Sequence, residues 1–491
     1  MSIVEREVKL DLAAEFDGAS FAGSIGAWTV RHDKTLHLDA TYYDTSDLRL
    51  LRAGMSLRFR DGWLVKLTQP TDRPELMQRK EVALEGGPDH LPIEALDLVR
   101  SAVRGGELVA VATLSTSREV YTVRDRSGTT MAEVTHDQVT GESEMGPSSF
   151  EELEVELSDE ADQQVLEPVV ARLKELGGGP FVELPKVARV LGIERPLPFE
   201  VVVNEAGRSS TAGEVVQAAI ARSVRRYLEH APAVVLDEDP EGVHQARVAT
   251  RRLRSDLRVF RAFLDRDWAD ELRSDLRWLT DVLGGVRDLD VMAERFAEVL
   301  PAVPAPELGA AHEILMVLRA ERTSEVAGVV EAFRGPFYTR LLVRLVDAAA
   351  GLPFLASAHS VAPSKLIDVT RKPWRKLRRA VDGLPETPSA DELHRLRIRT
   401  KRARYAVEAV AGLGGEQAEQ FSLALEELQD VLGEHQDAVV AARWLRGLSP
   451  DLSLAAGELI GLEVARANHA ADGWPDIWQT LNRSELTAWL G

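Results

Sequence analysis

The sequence contains no cysteine among its 491 residues. That excludes disulfides, thiolate metal sites and cysteine nucleophiles, and it fits a reducing compartment. No apolar run approaches the ~18 residues of a helical membrane span, so no membrane association is expected. Met1 leads straight into Glu5, Arg6 and Glu7 without the apolar core of a signal peptide, and a cytoplasmic location is expected. An excess of positive charge is also missing. Lys and Arg number 59 against 79 Asp and Glu, for a net charge of −20 and a pI near 5.1. Net attraction to nucleic acid is therefore not expected, and any polyanion must be met by locally gathered basic residues. The 45% apolar and 28% charged content is that of a soluble globular protein. The length leaves room for two to four domains.

Basic residues are indeed gathered. Between His244 and Arg258, a helix of about 100° per residue would place His244, Arg247, Arg251, Arg254 and Arg258 on one narrow face. Ala246, Ala249, Leu253, Leu257 and Phe260 form the adjoining apolar stripe. The pattern returns 150 residues later, with His394, Arg397, Lys401 and Arg404 matching His244, Arg247, Arg251 and Arg254. A charge run is ordinarily a solvated face. Here the face has almost no acidic partners one turn away, and the spacing recurs in an acidic chain. Arginine forks match phosphate oxygens bidentately, so the ladder reads as a polyanion site.

The repeat extends further. Arg222–Arg226 corresponds to Lys372–Lys376, which places Arg222 and Arg226 in one copy and Arg375 in the other; Asp281–Val291 corresponds to Asp430–Val440. A bundle with pseudo-twofold symmetry would set the two His–Arg helices face to face, with their basic faces lining one cavity. Arg258 is matched by Glu408, which weakens the second copy. For His244 and His394 three roles stand open: hydrogen bonding to phosphate, metal ligation, or a cap at the helix start. Asp288 and Asp437 are expected to hold arginines or a helix end.

Residues 1–195 read as strands and turns. Glu5, Glu7 and Lys9 share one face of an early strand, with Val4, Val8 and Leu10 on the other. A two-residue Asp61-Gly62 turn would put Lys66 opposite the Arg58 face. A three-residue loop, Arg60-Asp61-Gly62 with Gly62 left-handed, would put Arg58 and Lys66 on one face, and this is the expected form. Arg79 and Glu81 share a face. Arg118 precedes a short strand Glu119–Val123, and Met131–Thr135 is another, with Glu133 and Asp137 in phase. Glu152, Glu154 and Glu156 alternate with Leu153, Val155 and Leu157, and 184–191 reads as a short basic helix.

One polar face of an antiparallel sheet normally meets water. Clusters of both signs on so many strands suggest instead a closed barrel, with the charged face turned inward. Such a lumen suits a short phosphate chain together with a hard divalent cation. Water can attack there without a protein nucleophile.

Glu5-x-Glu7-x-Lys9 resembles the ExExK signature of the CYTH, or triphosphate tunnel metalloenzyme, superfamily. The later charged strands resemble it in the same order over about residues 1–195. The resemblance implies an eight-stranded antiparallel β tunnel that hydrolyses inorganic triphosphate to diphosphate and phosphate with Mg2+ or Mn2+. By that resemblance Glu5, Glu7, Glu154 and Glu156 are metal ligands, with Asp137 beside them. Lys9, Arg58 or Arg60, Lys66, Arg79 with Glu81, and Arg118 or Arg124 would grip the phosphates. Lys186 and Arg189 would sit on a helix plugging one mouth.

Residues of about 211–491 resemble the CHAD domain, with four helices in each of two repeats. That implies binding of inorganic polyphosphate by the residues matched above, from Arg222 and Arg226 through His244, Arg247, Arg251, Arg254 and Arg258 to Arg375, His394, Arg397, Lys401 and Arg404. The expected organisation is therefore β followed by α: a tunnel over 1–197, a linker over 198–210, and a helical domain over 211–491 with repeats at about 211–355 and 360–491. Recruitment to polyphosphate granules would follow. The alternatives are a non-catalytic polyphosphate-docking protein, or a tunnel acting on a nucleotide or thiamine triphosphate. The sequence sets no oligomeric state.

Overall fold

The computed structural model describes residues 2–73, 75–158, 161, 163–207, 209–359 and 363–490. Arg208 in the expected linker, and residue 360 at the expected start of the second repeat, lie outside the described residues. The chain forms two compact units, Met1–Glu200 and Val201–Gly491. Among the described residues no helix is long and apolar enough to cross a membrane.

The first unit contains ten strands: β1 Ser2–Leu12, β2 Gly23–Ile25, β3 Trp28–Asp44, β4 Met55–Phe59, β5 Trp63–Gln69, β6 Met77–Leu84, β7 Val109–Arg124, β8 Thr130–Ser143, β9 Gly146–Leu157 and β10 Gly178–Phe181. Eight close into an antiparallel ring in the order β1-β6-β5-β4-β3-β7-β8-β9, because β9 pairs back onto β1 from Glu7↔Glu156 to Asp11↔Glu152. The short β10 lies along β1, and β2 along β3.

Helix packing on the outside decides which face turns inward. Val8, Leu10, Val134, Leu153 and Val155 join one core with Val169 and Leu173 of the Leu166–Glu175 helix. Because side chains alternate along a strand, burying these apolar residues outside turns Glu7, Lys9, Asp137, Glu152 and Glu154 into the lumen, and all five are buried.

The β4–β5 hairpin has the expected three-residue loop. Phe59 pairs with Trp63, Arg58 with Leu64 and Ser56 with Lys66, so Arg58 and Lys66 share a face. The left-handed residue, however, is Asp61, with φ 55°, and not Gly62. Aspartate is among the few non-glycine residues that adopt this conformation readily. β7 and β8 also run much longer than the short strands expected, so Arg118 lies within β7. The Thr- and Ser-rich stretch before Arg118 has little apolar alternation to mark it. Its pairing with β3 and β8 defines it as strand.

The Lys186–Val190 helix packs Val187 and Val190 among Ala40, Tyr42, Ala112, Leu114 and Val139. Gly141 makes this possible, since a Cβ there would lie 2.5 Å from a Val190 methyl.

The second unit is helical. Its main helices are Ala212–Leu236, Pro240–Val259, Arg266–Val299, Leu308–Arg334 and Pro336–Ala350, then Pro363–Asp382, Ala390–Glu408, Glu416–Leu445 and Ser453–Leu481. The first copy thus has five long helices where four were expected. The extra Pro336–Ala350 helix is tied to Ala212–Leu236 by a buried Tyr227–Tyr338 hydroxyl pair at 2.8 Å and by Gln217 Nε2 donating to the carbonyl of Ala348 at 3.0 Å. The two His–Arg helices, Pro240–Val259 and Ala390–Glu408, start at Asp239 and Ser389, whose side chains accept backbone N–H groups. These residues are the caps, and the histidines five positions on are not.

Candidate active site and polyanion interface

Three electrostatic zones line the barrel. In the first, Lys186 Nζ stands 2.9, 2.8 and 2.7 Å from Asp137, Glu152 and Glu154. Arg118 binds Asp137 bidentately at 2.7 and 2.6 Å and reaches Glu154 at 2.8 Å. Lys9 also pairs with Glu154, and Arg189 with Glu152 at 2.9 Å. Burial alone would raise Glu154, but Lys186, Lys9 and Arg118 hold it well below the usual carboxylate range. Burial alone would lower Lys186, but Glu154, Glu152 and Asp137 hold it well above an ordinary lysine. The three buried carboxylates offer oxygens within 4.8 Å of one another, a spacing that could hold a divalent ion, and they are the only such group among the described residues. In this structure two ammonium groups and two guanidinium groups neutralise them.

The second zone has excess negative charge. Glu7 meets Glu156 across β1–β9, and Glu156 meets Glu133 across β8–β9. Lys66 bridges Glu5, at 2.8 Å, and Glu81, while Arg79 holds Glu7. Burial, with Glu5, Glu7 and Glu133 nearby, pushes Glu156 up to about 7 against the opposing pull of Lys66. This is the state of a carboxylate group short of one cation.

The third zone has excess positive charge. Among the described residues no carboxylate lies within ion-pair distance of Arg58 or Arg60, and the buried Nε of each lacks a hydrogen-bond partner. Burial and Arg58 push Arg60 down to about 10. Tyr42 pairs with Arg58 across β3–β4. Burial would raise its phenol, but Arg58, Lys66, Lys186 and Arg60 draw it below its ordinary value. Arg58 and Arg60, the two alternatives for one phosphate contact, both belong to this zone. Arg118 meets the acidic zone, while Arg124 reaches only Thr122.

In the helical unit the two His–Arg helices pack against each other, and Arg251 Nη2 donates to Tyr405 at 2.8 Å. The pseudo-symmetry is visible in matched ion pairs. Arg247 binds Asp288 at 2.9 Å, and its counterpart Arg397 lies 3.6 Å from Asp437. Gly284 and Gly433 hold equivalent positions beside these two guanidiniums, and Arg247 also donates to the Gly284 carbonyl at 2.8 Å. Lys401 completes the cluster. Burial, Arg251 and Arg397 push its amine down to about 6, with Asp437 opposing and Arg247 adding to the depression.

His244 is half-buried. Burial, Arg287, Arg226 and Arg251 keep it below its usual value against Glu241, so cations surround it where a metal would have to sit. His394 Nδ1 lies 2.6 Å from the Gln436 side-chain oxygen. Arg222, Arg226 and Arg375 are exposed on the helices that precede the His–Arg helices, with Arg226 held by Gln245 at 2.7 Å. Arg404 is bound by Glu408 at 2.6 Å and by Glu426. Among the described residues Arg254 and Arg258 have no such partner.

The sequence reading passed over Tyr42, Glu152 and Tyr405 as site residues. Glu152 shares the face of Glu154, and Tyr405 falls one turn after Lys401, so spacing could have found both. Tyr42 becomes visible only through the β3–β4 register.

Residues 4–182 match the CYTH domain and residues 218–446 the CHAD domain. An uncharacterized protein of Mycobacterium tuberculosis, Rv2226, is 31% identical over 472 residues, covering 90% of this chain and 88% of its own. Among solved structures, the CHAD domain from the plant Ricinus communis is similar over 58% of this chain and 96% of its own, at 27% identity and a TM-score of 0.48. PptA from Streptomyces chartreusis is similar over 55% of this chain and 100% of its own, at 20% identity and a TM-score of 0.46.

Proposed function

This chain belongs to the family in which a CYTH domain is followed by a CHAD domain, and on that premise we propose that its tunnel hydrolyses inorganic triphosphate while its helical unit binds inorganic polyphosphate. The observation that carries the reading is the separation of unbalanced charge within one lumen. Among the described residues Glu156 and Glu133 have no ion-pair partner, while Lys66 and Arg79 take up Glu5 and Glu7 beside them. Arg58 and Arg60 lack an anion. A short phosphate chain with a divalent cation supplies both.

The oxygen donors of Glu5, Glu7 and Glu156 suit Mg2+ or Mn2+. When bound, such an ion supplies charge neutralisation on the phosphate oxygens and polarisation of the reacting water. Glu154 and Asp137, expected from the resemblance to join the ligands, belong with Glu152 to the buried cluster whose spacing could hold a divalent ion, and here they pair with Lys9, Arg118 and Lys186. Arg58 and Arg60 take the phosphate oxygens in bidentate fashion. Lys66 and Arg79, which pair here with Glu5 and Glu7, would be available to the remaining oxygens if those two carboxylates held the ion. Catalysis then rests on positioning and charge stabilisation, as phosphoryl transfer allows without a protein nucleophile. In the helical unit Arg247, Arg251, Arg397 and Lys401 present four basic groups to a polyanion with only Asp288 and Asp437 opposing them.

The test is the double substitution Arg58→Ala/Arg60→Ala. It is expected to raise KM for triphosphate by about tenfold or more, the scale of a lost charged hydrogen bond. Binding of long polyphosphate by the full chain should be unaffected. An unchanged KM would show that these arginines do not grip the substrate.

A further inference from the structure

The internal repeat gives each contact in one copy of the helical unit a counterpart in the other. Arg252 of the first His–Arg helix pairs with Glu408 of the second. Moving each residue by the 150-residue offset gives Arg402 and Arg258. Arg404 pairs with Glu426, and their counterparts are Arg254 and, at the 149-residue offset of the next helix, Arg277. Two ion pairs on one side therefore correspond to two like-charge pairs on the other.

The electrostatics differ accordingly. Burial and Arg402, Arg273 and Arg254 together lower Arg258. Burial lowers Arg254 too, with Arg273 and Arg277 adding to it and Asp281 opposing. At the equivalent Arg404, burial is outweighed by Glu408 and Glu426, which raise it. Nearby carboxylates do not cancel the excess. Asp270 is shared between Arg261, at 2.5 Å, and Arg273, at 2.9 Å, and Arg277 lies 3.6 Å from the exposed Asp281. Among the described residues Arg254, Arg258 and Arg402 have no ion-pair partner.

We propose that Arg254, Arg258, Arg277 and Arg402 form a one-sided phosphate subsite, in which two phosphoryl groups of a polyanion take the places that Glu408 and Glu426 fill on the opposite side. The proposal rests on polyphosphate binding by the helical unit and adds a direction to it. The chain leaves the central cluster of Arg247, Arg251, Arg397 and Lys401 over the first copy. The second copy is closed to it by its own carboxylates, which act as built-in stand-ins for phosphate.

The experiment uses the full chain and inorganic polyphosphate of about a hundred phosphates. Arg258→Glu recreates on this side the pair that Glu408 makes with Arg252. Without polyphosphate it should therefore raise Tm by a few degrees. It should also weaken polyphosphate binding about tenfold and lower the salt slope by about 1 to 2, because one to two phosphate contacts are lost. Arg258→Ala should weaken binding in the same direction without the gain in Tm. Arg319→Glu, an equal charge change on the Leu308–Arg334 helix, controls for net charge and should cost less than about twofold. Unchanged binding by Arg258→Glu, or an equal loss with Arg319→Glu, would overturn the subsite. Failure of the unsubstituted chain to bind polyphosphate would instead overturn the function proposed for the helical unit.

Discussion

Lys401 sits half-buried between Arg251 and Arg397 with no ion-pair partner among the described residues, and its amine is pushed down to about 6. The unfolded chain therefore binds more protons than the folded one between about pH 6 and the ordinary lysine value. Through this group, stability of the free protein rises with pH across that window. A bound polyanion reverses the depression and draws a proton onto the amine. Arg247, Arg251, Arg397 and Asp437 face the same point, and of these only the aspartate opposes the effect. Polyphosphate affinity is therefore expected to fall between pH 6.5 and 8, by up to about tenfold per unit through Lys401. Lys401→Met should flatten that dependence, measured by titration at constant ionic strength. A wild-type profile as flat as that of the variant would contradict the assignment.

At the scale of elements, the barrel was legible wherever charge alternated with apolar residues, as in Glu5–Lys9 and Glu152–Leu157. There the period of two names both the strand and its faces. It was less legible in β7, where Thr113, Ser115 and Ser117 interrupt the apolar pattern and only pairing with β3 and β8 defines the strand. The His–Arg helices could be placed because caps, spacing and repetition all agreed. Among the described residues no long helix of the second copy corresponds to Pro336–Ala350, so the repeat gave no sign of it. Which lumen carboxylates are ion-paired was not legible either, because spacing places Glu154 and Glu156 on one face alike. Lys186, arriving from a distant helix, neutralises Glu154 and leaves Glu156. That helix depends on Gly141, where a Cβ would strike Val190. Gly141→Ala is expected to destabilise the tunnel unit by about 1–3 kcal/mol through overpacking. It should also lower triphosphate turnover by displacing Lys186 and Arg189. Denaturant unfolding together with kcat would check this, and wild-type stability would show that the helix can shift freely.

At the scale of the whole molecule, an acidic chain holds two basic sites, each concentrated where the fold brings separate strands or helices together. The tunnel pairs Lys9, Lys66, Arg79, Arg118, Lys186 and Arg189 with carboxylates and leaves Arg58 and Arg60 without a carboxylate partner among the described residues. The helical unit leaves Arg254, Arg258, Arg402 and Lys401 without an ion-pair partner among the described residues, which suits the long polyanion proposed for it. Division of labour follows. Charge reversal of Arg251 and Arg254 should abolish polyphosphate binding and leave triphosphate turnover intact, and loss of turnover in that variant would contradict the division. The most direct measurement is phosphate release by the purified chain with Mg2+ and then Mn2+. Inorganic triphosphate, ATP and long-chain polyphosphate are offered in parallel, beside a Glu5→Gln/Glu7→Gln control. The expected result is preferential turnover of triphosphate that disappears in the control while polyphosphate binding persists. No turnover of any substrate, with tight polyphosphate binding retained, would contradict the catalytic account and leave a binding protein.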